Sequence, residues 1–142
     1  MDRYSRDKRS EVMSKIKANG SKIENRFFAC LEKAGISPVV FHNKQILGVP
    51  DVTHEPGKVA IFIDSCFWHG CKQHCRMPKT NQDYWSRKIA KNIKRDRKIK
   101  KELAATGWLV IRVWEHSLKQ ERTLRWWITR IKNLILNQEK QI

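Results

Sequence analysis

Thirty Lys and Arg against fourteen Asp and Glu give this 142-residue chain a formal charge of +16, which argues against an uncharged scaffold and asks for a polyanionic partner, nucleic acid first. Apolar residues at 40% can fill a core without staples, so one domain over residues 1–142 is expected, with a basic helical segment at 1–18. No run approaches the ~18 apolar residues of a membrane span, and "MDRYSRDKRSE" has no apolar stretch behind its charges, so neither membrane insertion nor a secretory leader is expected.

Residues 6–18 read as a basic helix with Val12, Met13 and Ile16 on one side. A second helix covers 22–34. "SKIE" from Ser21 to Glu24 has the form of a capping box, Ile23, Phe27, Cys30, Leu31 and Ala34 form one stripe, and Gly35 ends it. Three strands follow at Val39–His42, Val49–Glu55 and Lys58–Asp64, the last two joined at Pro56-Gly57 as an antiparallel hairpin with Gly57 at positive φ. A long helix runs from an Asn81 cap to Ala105, with Trp85, Ile89, Ile93, Ile99 and Leu103 inward. "WLVIRVW" reads as a buried strand, and a last helix covers Leu118–Leu136. The order predicts an α/β sandwich.

Three cysteines and a histidine fall within ten residues, at Cys66, Cys71, His74 and Cys75. In a reduced, cytoplasmic protein such a cluster points to thiolates around zinc. Spacing does not choose between His74 and Cys75 as the third ligand, and His116, just after a strand, is the remote candidate for the fourth. Cys30 sits on a helical core stripe and reads as a small hydrophobe.

A two-residue hairpin loop would set Glu55 against Lys58 and Asp51 against Phe62. Asp51 and Asp64 would then share a face with Cβ atoms on the order of 7–8 Å apart, a pair suited to Mg²⁺ beside a phosphate. His69 reads equally as a spare zinc-loop histidine or as a proton-transfer group. Glu24 has a sufficient structural role in the capping box. Between Arg87 and Lys101 the long helix carries nine Lys/Arg, among them Lys88, Lys91, Arg95 and Arg97 with Asn92 between, a density that suits phosphate binding. Phe67 and Trp68 are adjacent, so only one of them can face a given core; the other would be free to stack on or wedge between bases.

"RSEVMSKIK", "SKIENRF", "GVPDV", "IFIDSCFWHGC", "MPKTNQDYWSRKIAKNIKRDRK" and "GWLVIRVWEHSL" together resemble the very-short-patch-repair (Vsr) mismatch endonucleases over nearly the whole chain. The resemblance implies a restriction-endonuclease-like α/β/α core of the PD-(D/E)xK superfamily with a structural zinc. It implies Mg²⁺-dependent nicking of one strand 5′ of the thymine in a T·G mismatch left by deamination of 5-methylcytosine. By position, Asp51 would bind Mg²⁺ with the main-chain carbonyl of Ile63, His69 would be the catalytic histidine, Glu24 a helper near the metal, and Asp64 an assisting acid. Phe67, Trp68 and Trp85 would enter the stack from the major groove and Met13 from the minor groove. Cys66, Cys71, His74 and His116 would hold zinc, with Cys75 the alternative. "DSC" departs from the wider superfamily by placing Cys66 where a lysine would stand, a loss that His69 is taken to cover in this branch. The expected partner is double-stranded DNA bearing a T·G pair, with a mismatch-repair ATPase protein as a further candidate. The expected setting is a monomer at the bacterial nucleoid. A restriction-type nuclease without mismatch preference and a non-catalytic zinc-stabilised DNA-binding module are the rival readings.

Overall fold

The computed structural model of the chain describes residues 22–71 and 79–141. The helix expected over 6–18, with Met13, and the loop residues His74 and Cys75 lie outside them. A helix spanning residues 22–33 (α1) leads into β1 (Val40–Phe41), β2 (Val52–His54) and β3 (Val59–Asp64). A long α2 (Gln82–Ala105), β4 (Leu109–Trp114), a short α3 (Glu115–Lys119) and α4 (Glu121–Gln141) complete the fold. The four strands lie in the order β1-β2-β3-β4. The first two pairs are antiparallel and β3–β4 is parallel, with α2 as the crossover.

Helices cover both faces of this mixed sheet. Val59, Ile61, Ile111 and Val113 pack against Phe27 and Leu31 of α1 and Leu124, Ile131 and Ile135 of α4. On the other face Ala60 and Phe62 meet Leu103 and Ile99 of α2. A strand covered on both sides needs an almost unbroken apolar run, and "VAIFID" is one. Each large side chain buried fully here contributes about 1.5–3 kcal/mol. Among the described residues no helix is long and apolar enough to cross a membrane.

Three local expectations need correction. Strands β1 and β2 are shorter than read, because His42 (φ 50°), Gly48 (φ 81°) and Val49 (φ 49°) take left-handed conformations that no strand continues. In the hairpin, His54 pairs with Val59, so the loop has four residues, closed by the Lys58 N–H to the Glu55 carbonyl at 3.0 Å. The left-handed residue is Lys58 (φ 51°) and not Gly57. Glycine at 57 serves close approach instead, since a Cβ there would stand 3.1 Å from the His54 ring. Finally, the C-terminal helix begins earlier and is broken: α3 ends at Gln120, which is extended (φ −95°, ψ 135°), and α4 starts afresh at Glu121.

Candidate active site

The hairpin register that the sequence suggests is the one observed. Val52 pairs with Ile61, which sets Asp51 opposite Phe62 and turns it towards the α2 face. Asp51 and Asp64 both line a cleft of about 420 Å³ that also takes in Ile63, His69, Arg95 and Arg112. The two acids nevertheless have different partners.

Asp51 belongs with Glu24 and His42, whose ligand atoms all lie within 4.8 Å of one another. Its Oδ2 accepts the Ile63 N–H at 2.7 Å, and its Oδ1 lies 3.8 Å from His42 Nδ1. A residue's N–H and C=O leave a strand on the same edge, so the Ile63 carbonyl faces Asp51 as well. Glu24 turns to His42 (3.7 Å) and to a hydrogen bond with Asp51; its capping partner Ser21 lies outside the described residues. Burial, then the charge of Asp51, pushes the Glu24 carboxyl up from 4.5 to about 7. Two crowded oxygen acids and an imidazole suit a divalent cation, and a bound one would relieve that crowding.

In the metal-free fold Glu24 binds its proton more tightly than the unfolded chain does. Stability is therefore lost as pH rises from about 4.5 through about 7. Glu24→Gln is expected to raise the melting temperature in EDTA at pH 8, with the gain shrinking towards pH 4.5; thermal melts across that range check it.

Asp64 faces a second group, with His69 and Asp96. His69 Nδ1 is hydrogen-bonded to Asp96 Oδ2 and lies 3.8 Å from Asp64 Oδ1. Arg112 Nη1 donates to Asp64 Oδ1 at 2.6 Å, while its Nη2 is 3.5 Å from Asp96 Oδ1. Burial pushes the Asp64 carboxyl above the ordinary carboxylate range; His69 and Arg112 pull it back, and Asp96 adds to the rise. His69 is thus positioned by an aspartate, and its Nε2 is the nitrogen left for other chemistry. Gly70 (φ 65°) lets this loop lie on α2, since a Cβ there would meet Ile89 at 2.8 Å.

Behind the same loop, Cys66, Cys71 and His116 converge with all ligand atoms within 4.8 Å. His116 Nδ1 is 3.2 Å from Cys66 Sγ and 3.7 Å from Cys71 Sγ. His116 arrives from α3, and the neighbouring Glu115 accepts the Cys66 N–H at 3.0 Å. Burial pushes the Cys66 thiol up to about 12, against a hydrogen bond from the main chain of His116. Such a thiol ionises only where a cation takes up the charge, and two sulfurs with an imidazole match zinc.

Phe67 and Trp68 stand half-buried against Trp85, at ring-centroid distances of 5.4 and 5.8 Å, with Tyr84 5.0 Å beyond. Trp85 is 1% exposed, so in this conformation it backs the platform and does not project from it. Asn92 gives its side-chain N–H to the Trp68 carbonyl at 3.1 Å, which assigns it to holding this loop. Tyr84, Lys88 and Lys91 line one groove on α2 with Lys94, and one turn further Arg95 reaches the cleft. Arg97 is exposed and lies about 200° around the helix from Arg95 but only about 60° from Lys94, at the edge of that stripe.

His42, Tyr84, Asp96 and Arg112 escaped the sequence reading as site residues. Asp96 left a trace as an acid within a run of cations, and Arg112 as a charge inside "WLVIRVW". His42 left none, because its partners are distant in sequence.

The family model for the DNA mismatch endonuclease Vsr matches residues 1–76. The type II nicking enzyme V.NaeI of Lentzea aerocolonigenes is 40% identical over 121 residues, covering 80% of this chain and 70% of that enzyme. V.XorIIP of Xanthomonas oryzae pv. oryzae, also a type II nicking enzyme, is 32% identical over 94% of this chain and 96% of its own length. The DNA mismatch endonuclease Vsr of Escherichia coli K12 is 32% identical over 126 residues, covering 87% and 79% respectively. With a cleft of acids and histidine beside a basic helix, and these relatives, the chain belongs to the Vsr family of DNA endonucleases.

Proposed function

We propose that this endonuclease nicks one strand of duplex DNA 5′ of the thymine in a T·G mismatch of the kind left by 5-methylcytosine deamination. Asp51 and His69 lining one cleft at the end of a basic, aromatic-edged stripe is the observation that carries the reading. The restriction-endonuclease-like core is part of this proposal, supported by the mixed sheet with helices on both faces.

Mg²⁺ would be held by Asp51 with the Ile63 carbonyl, Glu24 and His42 close by, and would supply neutralisation of phosphate charge. Zinc would be held by Cys66, Cys71 and His116, with His74 or Cys75 completing the set, and would fix the loop that carries His69. His69, oriented by Asp96 through Nδ1, would hold or move a proton at Nε2. Phe67 and Trp68 would stack beside the mismatch, where the weaker stacking of a wobble pair lowers the cost of insertion. Lys88, Lys91, Lys94 and Arg95 would follow the phosphates.

The test is nicking of end-labelled duplexes, one with a single T·G and one fully paired, each with Mg²⁺ and with EDTA. Cutting confined to the T·G duplex with Mg²⁺ is expected. Equal cutting of both duplexes would remove the mismatch role, and undiminished cutting in EDTA would remove the metal.

The stripe makes a separate prediction. Lys91→Ala should weaken duplex binding and lower the salt slope by about one phosphate contact, whereas Lys100→Ala, on the exposed surface about 180° around the helix from Lys91, should leave both near wild type. Fluorescence-anisotropy titrations at several salt concentrations check it, and equal losses from both variants would dissolve the stripe.

A further inference from the structure

We propose that Arg112 is a positioning residue for strand cleavage: from β4 its guanidinium clamps Asp64 and Asp96 and thereby fixes the ring of His69. The proposal rests on the nuclease reading above, and it concerns a residue that neither the carboxylate pair nor the zinc loop brings into view.

Arg112 stands where the fold asks for an apolar side chain. It pairs with Phe62 in the parallel ladder, on the sheet face that packs against α2, where its strand neighbour Val110 is apolar. A guanidinium placed there loses solvation and is retained only if acids meet it. They do, from two other elements: Asp64 at the end of β3 accepts a hydrogen bond from Nη1 at 2.6 Å, and Asp96 on α2 stands 3.5 Å from Nη2 as an ion pair without a hydrogen bond. Its carbon also lies 4.4 Å from the centre of the Phe62 ring, which fixes the plane of the fork. Arg95, the other cation near Asp96, is 62% exposed and 4.0 Å away, so it is the weaker partner.

The arrangement separates two acidic groups in one cleft. Asp64, His69 and Asp96 bring three ligand atoms within 4.8 Å, as do Glu24, His42 and Asp51. The first group already contains a cation, because Arg112 binds the same Asp64 oxygen that faces His69. Among the described residues, no lysine or arginine ion pair joins Glu24 or Asp51. Arg112 therefore supplies internally the positive charge that the His69 side needs and leaves the Asp51 side for a metal. Since Asp96 takes the Nδ1–H of His69, the clamp on Asp96 sets where Nε2 points.

Full-length Arg112→Met and Arg112→Lys provide the test, with two readouts. In protein as isolated, free of Mg²⁺ and DNA but not stripped of zinc, proton NMR of wild type should show a downfield, exchange-protected His69 Nδ1–H signal that Arg112→Met loses and Arg112→Lys keeps. In single-turnover nicking of saturating T·G duplex with Mg²⁺, Arg112→Met should be slower by about 10²-fold, the scale of a general acid–base contribution, with duplex Kd within about threefold of wild type. Lysine reaches one acid and not both, so Arg112→Lys should recover about tenfold of that loss. Should Arg112→Met not fold, Arg112→Lys decides by a rate about tenfold below wild type at unchanged Kd. A wild-type rate and an intact His69 signal in the variants would overturn the proposal, as would loss of rate and duplex binding together. If wild type itself does not nick, the cleavage reading fails, while the NMR comparison still decides whether Arg112 positions His69.

Discussion

Asp51→Ala is expected to lower nicking of a T·G duplex by at least roughly 10³-fold, the scale of several kcal/mol of lost charge stabilisation, while duplex binding survives. Asp51 lies in the cleft, one oxygen anchored by the Ile63 N–H and the other turned towards His42. Removing a carboxylate from a +16 protein takes away repulsion towards phosphate, so affinity should stay level or rise slightly. The alanine variant also leaves the Ile63 N–H without its acceptor, at a cost of about 1–3 kcal/mol in stability. Asp51→Asn keeps an oxygen for that N–H and should melt close to wild type while remaining inactive. Nicking rates, duplex titrations and thermal melts on both variants separate the possibilities. If the asparagine variant loses binding along with nicking, Asp51 serves the scaffold and the metal assignment falls.

Much of this site was legible because local chemistry and period-2 register carry far. "EPGK" between two apolar runs placed Asp51 opposite Phe62, and that pairing holds although the loop has four residues and the positive φ sits on Lys58. The apolar stripes located α1 and α2 to within a few residues. The thiol cluster announced itself by spacing, and His116 meets Cys66 and Cys71 as the one remote partner among the described residues. What stayed hidden depends on which helix covers which sheet face. Asp96 could not be told from a solvated acid until α2 was known to cross over β3 and β4. Arg112 looked like a lone charge in a strand until Asp64 and Asp96 stood on either side of it. Trp85 and Asn92 show the converse limit. The resemblance puts Trp85 at the DNA, yet it is buried behind Phe67 and Trp68; the basic run makes Asn92 a DNA contact, yet it ties down their loop. The extended residue at Gln120 has no strong breaker around it in "SLKQER", so nothing local marks the break between α3 and α4.

His69→Ala is the second variant expected to have a large effect, and it discriminates between the two roles that a histidine in the proposed zinc loop can have. If His69 moves a proton, the single-turnover rate should fall by roughly 10²–10⁴-fold with duplex affinity nearly unchanged. The proposed zinc should stay bound, because the cysteines and His116 meet behind the loop while His69 turns to Asp96 on α2, and the lost Asp96 hydrogen bond should lower the melting temperature only modestly. Asp96→Asn should fall between wild type and His69→Ala. An amide can offer Nδ1 either a donor or an acceptor, so the ring loses its fixed tautomer but keeps its place. Added imidazole should restore part of the His69→Ala rate and none of the Asp51→Ala rate, since only the former lacks a proton carrier that solvent can replace. Loss of zinc together with activity in His69→Ala would return the residue to the metal loop. Near-wild-type turnover would remove it from the chemistry and turn attention to His42, the imidazole grouped with Asp51 and Glu24.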